Sequence, residues 1–556
     1  MQKNLQKRQN KRITLSLGSL NLILAIWIAG VLNLTFFQHV YALTPYQGIK
    51  AYLFIAATVV ILVAFYNFIF QFLQWRRSFK WLAVILLLLA GLSAYFVSSL
   101  GIVISADQIQ NIMQTDHTEA RDLLSWRLIG WFLLMVLLPI LLLLFMVSIK
   151  EQTYLQIVRH KLVNALLSLA CILALLFIFY VDYAAIFREH RSLKGLISPQ
   201  NTIAASYSYI KHKIPQKNQP LLRYGLDAHL LQKVVAGQKA KLLVIVVGET
   251  ARAESFSLNG YAQDTNPLLA AQTDLINFSQ ASSCGTATAV SVPCMFSGMP
   301  RVEYDEQLAS HREGLLDIAQ RAGYKVTWID NNSGCKGTCD RVERYVIPAA
   351  ITQKWCQGKE CLDGILIDSL TDYLKQIAID DTQPRLLVLH QLGSHGPAYY
   401  KRIPPAFRKF KPTCDTNAIQ GCSRQQLLNS YDNTIYYTDY ILNQLIEVLK
   451  QQSSHQTALW YLSDHGESTG EKGMYLHGAP YRFSPSQQTH IPMLIWFSSN
   501  WQQSNPGQYG CLQKLKDHAV SQDNLFPTTL SLLNIESKVI DRHFDLMQQC
   551  STTESG

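Results

Sequence analysis

The stretch Tyr461-Leu-Ser-Asp-His-Gly-Glu-Ser468 carries an apolar run, Ala458 to Leu462, to a sudden end on a carboxylate beside an imidazole. A short apolar run reads as a buried strand, and Asp464 with His465 at its end are ligand types suited to zinc. A second run, Lys241-Leu-Leu-Val-Ile-Val-Val-Gly-Glu-Thr250, stops the same way and presents Glu249. Open α/β sheets gather their ligands at the carboxyl ends of strands. Two strands that each end on a metal-type ligand predict a metal-assisted transfer site in an α/β domain.

From residue 240 onward, short apolar runs alternate with helical patterns. Strands are predicted at 241–247, 325–329, 385–389, 457–462 and 492–497, and helices at 286–297, 313–322, 363–377, 425–450 and 524–533. That alternation argues for a mostly parallel sheet between helices.

The 556 residues are too many for one ordinary domain, and the first part differs sharply from the rest. Five apolar segments, roughly 14–37, 51–74, 80–104, 126–149 and 162–187, are each long enough to cross a hydrocarbon core. Five in succession, without charges in their centres, argue against buried core helices or a cleaved leader. The expected division is a five-helix membrane domain at 1–187, a bridging, interfacial segment at 188–239 broken by Pro199, Pro215 and Pro220, and a catalytic domain at 240–556. Lys3, Lys7, Arg8, Lys11 and Arg12, then Arg76, Arg77 and Lys80, then Lys150, Arg159 and Lys161 load alternate loops with positive charge. This places the N-terminus inside and everything after the fifth span outside. Loop 105–125, with Ile109, Ile112 and Met113 at helical spacing, is expected at the outer membrane–water boundary.

The cysteines point to the same compartment. Cys171 lies in the fifth span; the other ten all follow residue 280, mostly in close pairs, as disulfides in an oxidising compartment do. Pairing neighbours gives Cys284–Cys294, Cys335–Cys339, Cys356–Cys361, Cys414–Cys422 and Cys511–Cys550. The net charge of +10 is partly explained by the inside loops. No basic stripe with interleaved aromatics is present, so nucleic acid is not expected as a partner.

Ser282-Ser-Cys-Gly-Thr-Ala-Thr-Ala-Val-Ser-Val-Pro-Cys294 sets hydroxyls at the start of a predicted helix, where free N–H groups favour phosphate. Ordinary capping by Ser283 or Thr286 is the alternative reading of these hydroxyls; Thr288 lies deeper and is a poorer cap candidate. A threonine hydroxyl attacks only when a metal or base stabilises its alkoxide, a task for zinc held by Glu249, Asp464 and His465. His395 in Gly393-Ser-His-Gly-Pro397 and His477 in Leu476-His-Gly-Ala-Pro480 sit in glycine-containing turns, as proton donors or phosphate binders. Lys336, between Cys335 and Cys339, offers an ammonium for phosphate.

Taken together, these residues resemble a known family. Gly248-Glu-Thr-Ala-Arg252, Phe256-Ser-Leu-Asn-Gly-Tyr261, Cys284 to Ser297, Gly334-Cys-Lys-Gly337, Gly393 to Pro397, Tyr399-Tyr400 and Ser463 to Ser468 resemble the phosphoethanolamine transferases that modify lipid A, including the mobile colistin-resistance proteins. The resemblance runs along essentially the whole chain. It implies an alkaline phosphatase- or sulfatase-like α/β/α catalytic domain in the periplasm, carried by a multi-pass inner-membrane domain. It also implies Thr288 as nucleophile and fourth zinc ligand beside Glu249, Asp464 and His465. His395, His477 and Lys336 would contact phosphate, as would Asn331 or Asn332, between which the motif does not choose. The donor would be phosphatidylethanolamine, the acceptor a lipid A phosphate, the surroundings membrane lipids, and the chain a monomer.

Three other readings compete. A transferase aimed at core sugars of lipopolysaccharide is separated poorly. A membrane-anchored phosphodiesterase or sulfatase is less favoured: Ser291-Val-Pro-Cys294 begins the sulfatase pattern, but Met295 stands where arginine is required. A sensor or transporter would be expected to have lost ligands or to carry ionisable groups within its spans.

Overall fold

The computed structural model describes residues 12–115, 117–212, 219–231, 239–358, 360–378 and 380–553. Lys3, Lys7, Arg8 and Lys11 of the basic tail, and Pro215 of the bridging segment, lie outside these residues. The chain forms two compact units. One takes the residues up to Ile109 together with Leu124–Ser208; the other takes Gln110–Leu123 and everything from Tyr209 on.

The first unit contains five helices long and apolar enough to cross a membrane: Leu17–Leu43, Ile49–Leu73, Phe79–Leu100, Trp126–Met146 and Tyr154–Ile178. Leu20, Leu24, Phe36, Phe54, Phe70, Leu87 and Val136 are among the side chains that fill the space between them. The fifth begins at Tyr154, eight residues before the apolar run at 162. Arg159, His160 and Lys161 therefore lie inside the helix, since long side chains at a span's end cover apolar surface with their stems. Thr153 caps that helix, accepting from Gln156 N at 3.4 Å while its own N–H reaches the Gln156 side chain. The helix ends at Ile178, and after Phe179 a separate helix, Tyr180–Glu189, follows.

The second unit is built on one eight-stranded sheet. Its strands are β1 (Ala240–Gly248), β2 (Leu275–Ser282), β3 (Lys325–Asp330), β4 (Glu343–Arg344), β5 (Arg385–His390), β6 (His455–Ser463), β7 (His490–Phe497) and β8 (Ala519–Ser521). The order across the sheet is β8-β2-β7-β6-β1-β5-β3-β4. All neighbours pair in parallel except at β7, which runs against both β6 and β2. The register of β6 on β1 sets Ser463 beside Gly248, so both strands deliver their next residues to the same edge.

The central strands are buried along their whole length, which is why they read as continuous apolar runs. Leu243, Ile245 and Val247 share one core with Trp460, Leu462 and Val388 and with Val292, Phe296, Ile318 and Phe526 from helices on that face. Leu242, Val244 and Val246, one step out of phase, are equally buried. The opposite face is thus covered as well, and helix Arg424–Lys450 buries Ile435, Leu442, Leu445 and Leu449 there. The arrangement is the mostly parallel α/β/α sheet expected.

Three strands, β2, β4 and β8, were not expected from the sequence. β4 and β8 are two and three residues long, and β2 (Leu-Ile-Asn-Phe-Ser-Gln-Ala-Ser) alternates apolar with polar positions, so none offers an apolar run. Disulfides join Cys284–Cys294, Cys335–Cys339, Cys356–Cys361, Cys414–Cys422 and Cys511–Cys550, and Cys171 is free.

Candidate active site

The carboxyl ends of β1 and β6, side by side in the sheet, bring Glu249, Asp464 and His465 together, and all three are buried. One ligand atom from each lies within 4.8 Å of the others. Thr250 leaves β1 with φ +59°, and that turn aims its N–H at Asp464 Oδ1, 3.0 Å away. The His465 N–H donates to the same oxygen at 2.7 Å. Asp464 Oδ2 is left buried with no hydrogen-bond donor among the described residues. His465 Nδ1 sits 2.9 Å from Gly466 O, which fixes its proton there and turns Nε2, as an acceptor, toward the carboxylates.

Thr288 Oγ1 lies 3.1 Å from each Glu249 oxygen and 3.4 Å from His465 Nε2. The sequence sets this residue deeper in a helix expected over 286–297, with Ser283 and Thr286 as candidate caps. Instead the helix begins at Thr288 itself, and Ala287, which has no capping side chain, precedes it. Ser283 donates to Gly285 O and Thr286 to Ala479 O, so both hydroxyls fasten the entering loop rather than the helix end. Thr288 thus presents its hydroxyl in the first turn, beside the orphan N–H groups.

His477 and His395 stand over this cluster. The His477 ring is 4.3 Å from that of His465 and 5.7 Å from that of His395, centre to centre. Glu467, fully buried, accepts from His477 Nδ1 at 2.9 Å and from the Tyr399 hydroxyl at 2.5 Å. Gly393, at φ +54°, is required where the His395 loop passes β1: a Cβ there would sit 2.5 Å from Glu249 O.

The two asparagines separate cleanly. Asn332 Nδ2 donates to Glu249 Oε2 at 2.7 Å and to Gln391 O at 2.8 Å, whereas Asn331 turns to Asp363, 2.8 Å away. Asp363 in turn accepts from the N–H groups of Leu392 and Gly393, tying this loop to that of His395. Lys336 is not drawn into the cluster; its ammonium binds Ser333 Oγ at 2.8 Å and Ser333 O at 3.3 Å.

Charge in this site is unbalanced. Burial works against the Glu249 carboxylate, but positive charge on the neighbouring imidazoles, when they are protonated, and the Thr250 hydroxyl outweigh it and hold the carboxyl below its ordinary value. Burial and the Glu249 charge push Asp464 up. Two carboxylates buried this close cannot both ionise without a compensating cation. The donor set, two carboxylates and a neutral imidazole with an orphaned Asp464 oxygen, fits a divalent metal with nitrogen and oxygen ligands. Burial would lower the His477 pKa, but the charge and hydrogen bond of Glu467 raise it above the ordinary histidine value, which favours the imidazolium.

Glu467, Tyr399 and Asp363 escaped the sequence reading. Glu467 and Tyr399 stand inside the quoted motifs, and the two-residue step from His465 to Glu467 on one turn was the available signal. Asp122 also escaped it. Buried on the loop between the third and fourth spans, it accepts from Lys401 and from Arg402 at 2.9 Å, and Arg402 Nε donates to His395 O at 2.9 Å.

Comparison with known proteins agrees with this geometry. The Sulfatase family matches residues 241–535, and the family described as phosphoethanolamine transferase EptA/EptB matches residues 62–214. Phosphoethanolamine transferase EptA of Salmonella typhimurium is 41% identical over 98% of this chain and 99% of its own length. Phosphatidylethanolamine transferase Mcr-1 of Escherichia coli is 34% identical over 93% of this chain and 95% of its own. The solved integral membrane lipooligosaccharide phosphoethanolamine transferase A of Neisseria meningitidis superposes with a TM-score of 0.90, at 37% identity, over 97% of this chain and 99% of that one. With similarity running through both units and through the loops that gather Glu249, Thr288, Asp464 and His465, the chain belongs to the phosphoethanolamine transferase family.

Proposed function

We propose that the chain transfers phosphoethanolamine from phosphatidylethanolamine to a phosphate of lipid A through a covalent intermediate on Thr288. The observation that carries this reading is the Thr288 hydroxyl, 3.1 Å from both oxygens of a buried carboxylate and at the first turn of a helix. The Salmonella and Escherichia relatives are named for the transferred group and its donor, and the Neisseria protein for a lipooligosaccharide acceptor.

Zn2+, held by Glu249, Asp464, His465 and Thr288, would lower the pKa of the Thr288 hydroxyl and neutralise phosphoryl charge. Thr288 Oγ attacks the donor phosphorus, and its proton passes to the surrounding acceptors. The bond from phosphorus to the glycerol oxygen breaks, and that oxygen takes a proton from His477, which Glu467 keeps charged, or from His395. Diacylglycerol leaves. A lipid A phosphate oxygen then attacks the same phosphorus and frees Thr288. Asn332 steadies Glu249 throughout, and Lys336 contacts phosphate once released from Ser333. The product sets an ammonium beside an anionic phosphate, which weakens attraction for cationic peptides and gives polymyxin (colistin) resistance.

The setting follows from both substrates being lipids. Residues 1–187 form the inner-membrane part with a cytoplasmic N-terminus, 188–239 the bridging segment, and 240–556 the periplasmic catalytic part, in a monomer. Confinement to one surface raises the encounter rate of enzyme and lipid. Mass spectrometry of lipid A from cells expressing the chain tests the reading. An added phosphoethanolamine that disappears in Thr288→Ala supports it; unmodified lipid A, or modification by the variant, overturns it.

A further inference from the structure

The mechanism leaves one polar cleft unused. It lies in the first unit, has a volume of about 430 Å3, and is lined by Ser16, Ser19, Gln71, Lys150, His160 and Lys161 among others. These residues come from the start of the first span and the cap before it, the end of the second, the link between the fourth and fifth, and the start of the fifth. Parallel pairing of Ile13–Leu15 with Val147–Ile149 closes the same end.

Lys161 is unusual there. Lys150 and Arg159 are exposed, as charged side chains at a span's end ordinarily are, but Lys161 is only 7% exposed. Its ammonium donates to Gln71 O and lies 4.1 Å from the centre of the Trp75 ring. An ammonium has three donors and a full charge to satisfy. Among the described residues no acidic side chain lines the cleft, and residues 1–11 contain neither Asp nor Glu. Glu151, close in sequence, is paired with Arg76 at 2.7 Å.

Gln71 adds an independent observation. It is 3% exposed, and its amide nitrogen donates to Asn67 O and Asn67 Oδ1, both at 3.0 Å. Its Oε1 is left buried without a donor among the described residues. A buried carbonyl oxygen without a partner is as costly as a lost hydrogen bond, and ionisable groups at membrane depth ordinarily mark a ligand or a pathway. An uncompensated cation beside an unused acceptor matches a ligand that carries an anion and a donor together.

We propose that this cleft binds the head group of a glycerophospholipid from the leaflet on the N-terminal side. Its phosphate accepts from Lys161 and the Ser16–Ser19 hydroxyl pair, and its terminal ammonium or hydroxyl donates to Gln71 Oε1. The volume is ample for a head group. The site binds and does no chemistry, and it stands apart from the transfer reaction assigned to Thr288.

Native mass spectrometry of the full chain tests this in a Thr288→Ala background, which prevents turnover. The protein is released from nanodiscs holding equal amounts of phosphatidylethanolamine and phosphatidylglycerol and, in a second arm, from detergent with inorganic phosphate alone. The parent should retain a phospholipid that Lys161→Gln loses by about tenfold, the scale of one charge-assisted hydrogen bond. Lys161→Arg should retain it, and Gln71→Leu, which removes only the neutral acceptor, should weaken it less. Size-exclusion profiles show whether each variant folds. Whichever lipid is retained, its loss on Lys161→Gln supports the proposal and names the head group. Retention of the lipid by Lys161→Gln at the parent's level, binding of phosphate without lipid, or a cleft that keeps no lipid overturns it.

Discussion

The hydroxyl of Thr288 and the carboxylate of Glu249 meet because two loops separated by about forty residues are each held by several hydrogen bonds. Glu249→Ala removes one of two carboxylates from the metal set, so metal content by elemental analysis should fall together with activity. Full metal content in that variant would remove Glu249 as a ligand. Glu467→Gln keeps the shape but not the charge that holds the His477 proton. Its transfer rate should drop by about 10- to 100-fold, as for groups that orient a catalytic side chain, with metal content unchanged. An unaltered rate would free His477 of that dependence. At this scale the sequence was informative wherever chemistry sits in a compact motif, as with Asp464-His465. It left Asn331 and Asn332 unresolved because their difference is one of side-chain direction after β3, fixed by Asp363 and Gln391 from distant segments.

Single elements turn these contacts into geometry. Helix Thr288–Ser297 starts two residues later than its pattern implied because Thr286 and Ser283 are occupied by loop contacts, and that shift is what sets Thr288 in the first turn. The central strands were legible as apolar runs; β8 was not, being a three-residue edge strand, and β2, between β8 and β7, was not because polar residues alternate along it. The helix His117–Asp122 is tied at its end by Asp122, which also holds Arg402 beneath His395. Asp122→Ala leaves Arg402 with Glu360, at 3.0 Å, as its remaining acidic partner among the described residues. Breaking a buried ion pair costs about 3 kcal/mol, so hydrogen exchange across 110–122 should speed up markedly. Unchanged protection there would contradict the tether.

Across the whole molecule, two units of different chemistry share one chain. Hydropathy alone exposed the five spans, but their ends shifted by several residues wherever charged side chains joined a helix, as Lys161 does. The five disulfides fall entirely in the second unit. Four close short loops, while Cys511–Cys550 spans 39 residues. Chain entropy gives that bond about 4 kcal/mol, so Cys511→Ser should lower the melting temperature of the second unit more than any other single cysteine change. Equal melting of all five variants would contradict that ranking.

The decisive question is whether Thr288 carries the transferred group. The full chain, incubated with phosphatidylethanolamine and no acceptor and then digested, is to be read by peptide mass spectrometry. A phosphoethanolamine adduct on the peptide bearing Thr288, removed when lipid A is added, is the predicted result. Diacylglycerol release with the adduct on another residue, or with no adduct while transfer proceeds, would contradict it.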